Sequence, residues 1–94
     1  MNPIDPEKPL CRKTDVVGAD VPDGYVLLDL DNSKYLQLNA TASIVWELLE
    51  SPMSFRMLTE HLQARFEVEA ERCAVEVDAL LQRFLKLQII AYQG

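Results

Sequence analysis

The spacing of apolar residues changes at Asn39, and this change constrains the fold more than any other feature of the sequence. Before Asn39, apolar and polar side chains alternate as Leu36-Gln37-Leu38, which is the period of a β-strand. After it, apolar side chains recur at the spacing of a buried helix face: Ala42, Val45, Trp46 and Leu49. The Asn39 side chain is suited to cap the first turn of that helix. The chain therefore predicts a strand that runs directly into a helix.

A β-hairpin is predicted before this junction. Residues 25–30 and 35–38 alternate in polarity, and Asp31-Asn32-Ser33 between them favours a turn. A less regular first strand is predicted over residues 14–21, ended by the turn Pro22-Asp23-Gly24. The predicted inner face of the hairpin consists of Val26, Leu28, Leu30, Leu36 and Leu38.

Two further helices and a short terminal strand are predicted after the first helix. Ser54 is a candidate cap for the second helix, whose apolar face is Phe55, Leu58, Leu62 and Phe66. The third helix is predicted over residues 70–87, with a central stripe of Cys73, Val77, Leu80, Phe84 and Leu87. Ala74, Leu81 and Leu85 widen that stripe on one side. Residues 89–92 form a short extended segment.

Residues 1–13 contain three prolines and no periodicity, which predicts a flexible arm ahead of one domain over residues 14–94. The formal charge of −6 disfavours nucleic acid as a partner, because such binding depends on Lys and Arg. The sequence has neither a secretory signal nor an apolar run that could span a membrane, so we expect a cytoplasmic protein. Cys11 and Cys73 are interpreted as ordinary thiols in a reducing compartment.

No set of residues suited to catalysis is recognisable. The single histidine, His61, lies among residues expected to face solvent, without a suitable nucleophile and orienting group. Zinc, EF-hand, Walker and dinucleotide-binding motifs are missing, so neither a metal nor a cofactor is expected. Several carboxylates cluster near the third helix, but their spacing spreads them around it: Glu67, Glu69, Glu71, Glu76 and Asp78. We therefore expect a protein that is not an enzyme.

Two surfaces could hold an extended peptide. One is the outer strand of the sheet, if its edge is unpaired, and the other is the wide apolar stripe of the third helix. Both could instead be structural, with the strand edge covered and the stripe forming plain core.

Three segments of the chain resemble the PqqD-like family, named for a chaperone of pyrroloquinoline quinone biosynthesis. They are GYVLLD at 24–29, KYLQLN at 34–39 and A-x-x-x-W-E-L-L at 42–49. The similarity continues through VDALL at 77–81 and L-x-L-x-I-I at 85–90, so it covers roughly residues 16–90. The Leu-Asn-x-x-Ala-x-x-x-Trp junction is its most specific part.

The resemblance implies an α+β, winged helix-turn-helix-like fold with a three-stranded antiparallel sheet followed by three helices. It also implies a recognition element that binds the leader of a ribosomally made precursor peptide and presents it to a separate modifying enzyme. In this family the leader adds to the edge of the third strand and packs against the third helix. Carried onto this chain, the peptide-binding residues are Lys34, Tyr35, Leu36, Gln37, Leu38, Ala74, Asp78, Leu81 and Leu85.

The sequence does not identify the pathway, because the family includes partners of radical enzymes and of the leader proteases of lasso-peptide synthesis. Gln88 stands where the family pattern has a glycine, which puts a left-handed end of the last helix in question. Two alternatives remain open from the sequence: a winged-helix DNA-binding regulator and a small homodimerisation domain.

Overall fold

The computed structural model describes residues 3–93, which form five strands and three helices. In chain order these are β1 (Leu10–Arg12), β2 (Val16–Val21), β3 (Gly24–Asp29), β4 (Lys34–Leu38), α1 (Ala40–Leu48), α2 (Phe55–Arg65), α3 (Ala70–Lys86) and β5 (Ile90–Tyr92). Strands β2, β3 and β4 form an antiparallel sheet in that order, and β1 pairs with β5 in a second, two-stranded sheet. The predicted α+β fold, with three antiparallel strands followed by three helices, is confirmed.

Both predicted helix caps are present. The Asn39 side chain accepts a hydrogen bond of 2.8 Å from the Ala42 amide, and the Ser54 hydroxyl accepts one of 3.2 Å from the Met57 amide. Each bond satisfies an amide that has no partner within its helix. Because Asn39 follows β4 directly, its cap fixes the point at which the sheet edge passes into α1.

The core lies where the three helices meet the inner face of the sheet. Trp46 of α1 and Phe84 of α3 are fully buried and meet edge to face, with ring centroids 6.2 Å apart and an interplanar angle of 89°. This is a favoured aromatic geometry. Leucines from every layer complete the core: Leu10, Leu27, Leu49, Leu58 and Leu81.

The predicted inner face is right for β4 and wrong for β3. Leu36 and Leu38 point inward, but the buried residue of β3 is Leu27, while Leu28 and Leu30 are exposed. The register explains the difference, because Leu27 is opposite Leu36 and Tyr25 is opposite Leu38, and opposite residues share a face. Residues 25–28 are all apolar or aromatic, so their own pattern could not fix which set faces inward.

The prediction of a flexible arm over residues 1–13 is wrong for Leu10–Arg12, which form strand β1. Leu10 is 0% exposed. Its amide donates to the Met53 carbonyl at 2.8 Å, and the Met53 amide donates to the Leu10 carbonyl at 3.0 Å. Strand β1 also pairs with β5, which lies more than 70 positions later in the chain. No local pattern reveals such a distant partner, and three residues are too few to show a strand period. Met1, Asn2 and Gly94 lie outside the described residues.

The buried stripe of α3 is displaced from the predicted one. Its buried residues are Cys73, Val77, Leu81 and Phe84, while Leu80 is half-buried and Leu87 is 40% exposed. Leu81, predicted to lie on a flank, is therefore at the centre of the buried face. Within the described part of the chain, no helix is both long and apolar enough to cross a bilayer.

Helix α3 ends in a left-handed cap although no glycine is present. Gln88 has φ +61°, the Ile89 amide donates to the Phe84 carbonyl at 3.1 Å, and the Gln88 amide donates to the Leu85 carbonyl at 3.0 Å. These two bonds define a Schellman motif. The backbone thus keeps the geometry that the missing glycine would favour, and Ile89 reaches the core.

Gln88→Gly is expected to stabilise the domain by about 0.5–1 kcal/mol, because a residue with a Cβ is strained at this positive φ and glycine is not. Thermal unfolding followed by circular dichroism should give a midpoint a few degrees higher. The matched control is Ala79→Gly in the exposed interior of α3, which should lower stability by about 1 kcal/mol. Equal loss from both changes would contradict the role assigned to Gln88.

Candidate functional site

Strand β4 presents an unpaired edge. Within residues 3–93 it pairs with β3 on one side and with no strand on the other. Alternate residues of such an edge direct their N–H and C=O groups outward, where an added strand can bind them. Leu36 and Leu38 point into the domain, whereas Lys34, Tyr35 and Gln37 are exposed. All five predicted strand residues therefore lie on a sheet edge with free hydrogen-bonding groups.

A groove lies between the start of α1, directly after β4, and one side of α3. It has a volume of about 440 Å³ and is lined by Asn39, Thr41, Ala42, Glu76, Ala79, Leu80 and Arg83. The four α3 residues stand at i, i+3, i+4 and i+7, so they share one side of the helix. Leu80 provides the large apolar surface of this groove, with Glu76 and Arg83 supplying a negative and a positive charge. We call these four residues the groove side of α3.

The α3 residues predicted to bind peptide do not lie on the groove side. Leu81 is 0% exposed, so it has no surface to offer a ligand, and Ala74 is half-buried. Asp78 and Leu85 line an adjoining cavity beside β5, which shares Ala79 and Arg83 with the groove and also involves Pro3 and Tyr92. Leu81 therefore cannot contact a ligand directly, whereas Ala74, Asp78 and Leu85 stay predictions on a neighbouring side of α3. The sequence nevertheless indicated Leu80, because Leu80 belongs to the central apolar stripe predicted for this helix.

An apolar cavity of about 240 Å³ adjoins the groove and shares Thr41 and Glu76 with it. Its other walls are Ala40, Ile44, Leu62, Phe66, Val68, Cys73 and Val77. Burial, followed by the negative charge of Glu76, raises the pKa of the Cys73 thiol. A thiol in this state is a poor nucleophile, because the thiolate is the reactive form. The cavity is suited to an apolar side chain.

No catalytic arrangement accompanies these surfaces in the described part of the chain. His61 is exposed on α2, in a shallow depression with Met57, Glu60 and Ala64. Residues 3–93 contain no group of three His, Cys, Asp or Glu side chains placed to hold a metal ion. What the site offers is hydrogen-bonding backbone beside an apolar groove, which is an arrangement for binding an extended chain.

Comparison with solved structures gives three matches to the fold. TbiB1 in complex with the TbiA(beta) leader peptide has a TM-score of 0.78 at 23% identity, covering 89% of this chain and 98% of that one. A lasso peptide synthetase B1 complexed with its leader peptide has a TM-score of 0.76 at 24% identity, covering 87% of this chain and 96% of that one.

The third match is the PqqD truncation of Methylobacterium extorquens PqqCD, a stand-alone recognition element for ribosomally synthesised and post-translationally modified peptides. Its TM-score is 0.78 at 11% identity, with 94% of each chain covered. A search of curated protein sequences found no match.

The sequence identities to these three structures are too low to assign the chain to a family, but a match to a family model does so. The model for coenzyme PQQ synthesis protein D (PqqD) matches residues 24–90, which include β3, β4, all three helices and the start of β5. That span contains both the free strand edge and the groove side of α3. The chain therefore belongs to the PqqD family.

Proposed function

We propose that this chain is a non-catalytic domain that binds the leader of a ribosomal precursor peptide and presents it to a separate modifying enzyme. The observation that carries the proposal is the unpaired edge of β4 beside the groove formed with α3. Two proteins of similar fold were solved with leader peptides bound, which supports the same class of ligand here.

The leader binds as a fourth strand against β4, with main-chain hydrogen bonds to the segment Lys34–Leu38. The leader's side chains alternate between the two faces of the sheet. One set faces the groove, where apolar residues contact Leu80 and reach toward the adjoining apolar cavity. Main-chain bonds thus provide affinity for any extended peptide, and the groove selects the sequence.

The expected affinity is moderate. Four main-chain hydrogen bonds at about 1 kcal/mol each and two or three buried apolar side chains at about 2 kcal/mol each give a gross gain of roughly 8–10 kcal/mol. Ordering a disordered leader costs about 2–5 kcal/mol, and association costs more. We therefore expect a dissociation constant on the order of micromolar to high nanomolar.

A domain without catalytic groups can still be required for a reaction, because holding the leader raises the local concentration of the core peptide at the enzyme. The chemistry then belongs to the partner, which in this family is a radical enzyme or a leader protease and cyclase. Cytoplasmic location is part of the same proposal, since ribosomal precursors are made there.

The test is an NMR titration of the isotope-labelled protein with the leader of the precursor encoded beside its gene. Saturable shifts are expected along β4 and at Ala79 and Leu80, and a scrambled leader of the same composition should give none. Shifts confined to Asp78 and Leu85 would contradict the site, and a folded protein without any shifts would contradict the function.

A further inference from the structure

The face of the three-stranded sheet that points away from the helices carries no charged residue. The register places seven side chains on it: Val17, Ala19, Val21, Val26, Leu28, Tyr35 and Gln37. We call these residues the outer sheet face. Charged residues make up 26% of the chain, but those within the three strands are all on the inner face: Asp20, Asp29 and Lys34. The outer sheet face is therefore an uncharged surface on a highly charged domain.

The apolar residues of this face are contiguous and exposed. Val17, Leu28 and Tyr35 are opposite one another on β2, β3 and β4, and their exposures are 48%, 39% and 75%. Isolated exposed apolar residues are normal on protein surfaces, but a row across a whole sheet is typical of an interaction site. The proposed leader site does not cover this row, because an added strand lies in the plane of the sheet at the edge of β4.

Carboxylates flank the outer sheet face at both ends. At one end are Asp15 and Asp31, where the Leu30 amide donates to the Asp15 carbonyl at 3.0 Å. A hydrogen bond and repulsion from Asp15 raise the pKa of Asp31. Lys13 adds one positive charge near this end against these two carboxylates, while Asp29 and Lys34 are opposite each other on the inner face. At the other end, the β2–β3 turn carries Asp23.

The charges at the ends of the face argue against a second copy of the chain as its occupant. Three strands about 4.8 Å apart and five to six residues long cover roughly 300 Å², whereas a stable interface buries about 800 Å² per partner, so any occupant also contacts the charged flanks. Stacking two copies would also bring acidic ends together, because both ends carry carboxylates. A partner with positive charges around an apolar centre complements both the apolar face and its acidic flanks.

We propose that the outer sheet face docks the modifying enzyme, through an apolar patch on that enzyme bordered by Lys and Arg side chains. The enzyme's identity as partner rests on the proposed function, but the surface and its chemistry rest on the register, exposure and charges given above. The leader adds in the plane of the sheet at the edge of β4 and the enzyme docks on the face, so the domain can hold both together, and this geometry directs the bound leader to the enzyme.

The test compares two substitutions at one exposed position, Leu28→Lys and Leu28→Glu. Both substitutions remove the apolar contact, but only lysine is repelled by the Lys and Arg side chains that border the enzyme's apolar patch. Affinity for the enzyme encoded with the precursor, measured by calorimetry, should fall about tenfold or more for both, and further for lysine. Val75→Lys, at an exposed apolar position on α3, is the matched control and should leave affinity unchanged. Val17→Lys repeats the test on β2 if Leu28→Lys fails to fold.

Leader binding by the same variants separates this proposal from the proposed function. Unchanged leader affinity with lost enzyme affinity supports the docking surface. Unchanged enzyme affinity in the Leu28 and Val17 variants, or no binding of the enzyme by the original protein, would overturn it even if the leader binds. A dimer by analytical ultracentrifugation that Leu28→Lys dissociates would overturn it in favour of a second copy.

Discussion

Leu81→Asp is expected to unfold the domain. Leu81 is fully buried in the centre of the apolar face of α3. Truncating a buried leucine alone costs about 2–5 kcal/mol, and the substitution adds an unpaired buried carboxylate. Against the roughly 5–14 kcal/mol available to a chain of this length, a loss of about 4 kcal/mol or more should lower the unfolding midpoint by at least 15 °C.

Thermal and urea unfolding followed by circular dichroism would measure this loss. Val75→Asp is the control, because it places the same carboxylate on an exposed position of the same helix and should change stability by less than about 0.5 kcal/mol. A Leu81→Asp protein that keeps its unfolding midpoint but no longer binds leader would contradict the structure and restore the flank that the sequence predicted.

The parts of the fold that the sequence predicted correctly are those encoded by neighbouring residues. The change of period at Asn39, its cap and the cap at Ser54 each depend on contacts within four positions, so the local sequence contains the whole cause. The order of strands and helices follows from the same local signals. These features also place the β4 edge, which is why the strand half of the candidate site could be located in advance.

The parts that were wrong depend on partners distant in the chain. Leu10 is buried because β1 pairs with β5 and bridges Met53, and three residues among prolines give no sign of it. The inner face of β3 is set by its register with β4 rather than by its own continuous apolar run. On α3, Leu80 and Leu81 are consecutive apolar residues, so periodicity cannot decide which one faces the core. The peptide-binding residues predicted on α3 therefore lie on a different side of the helix from Leu80 and the groove.

Leu80→Asp is expected to weaken leader binding about 100-fold while the domain stays folded. Leu80 is half-buried and gives the groove its main apolar surface, so aspartate removes an apolar contact and places a charge where leader side chains enter. Losing one such anchor at the centre of an interface costs about 2–3 kcal/mol, which corresponds to this change in affinity. Fluorescence anisotropy with a labelled leader would measure it.

Leu85→Asp is the matched control, because Leu85 is also half-buried on α3 and packs against the core from the opposite side. It lines the cavity beside Pro3 and Tyr92, away from the β4–α1 junction. The two variants should therefore lose comparable stability, and only Leu80→Asp should lose leader affinity. The reverse pattern would move the leader to the side of α3 formed by Ala74, Asp78 and Leu85. Equal losses of affinity would mean that binding responds to the stability of α3 and not to contacts within one groove.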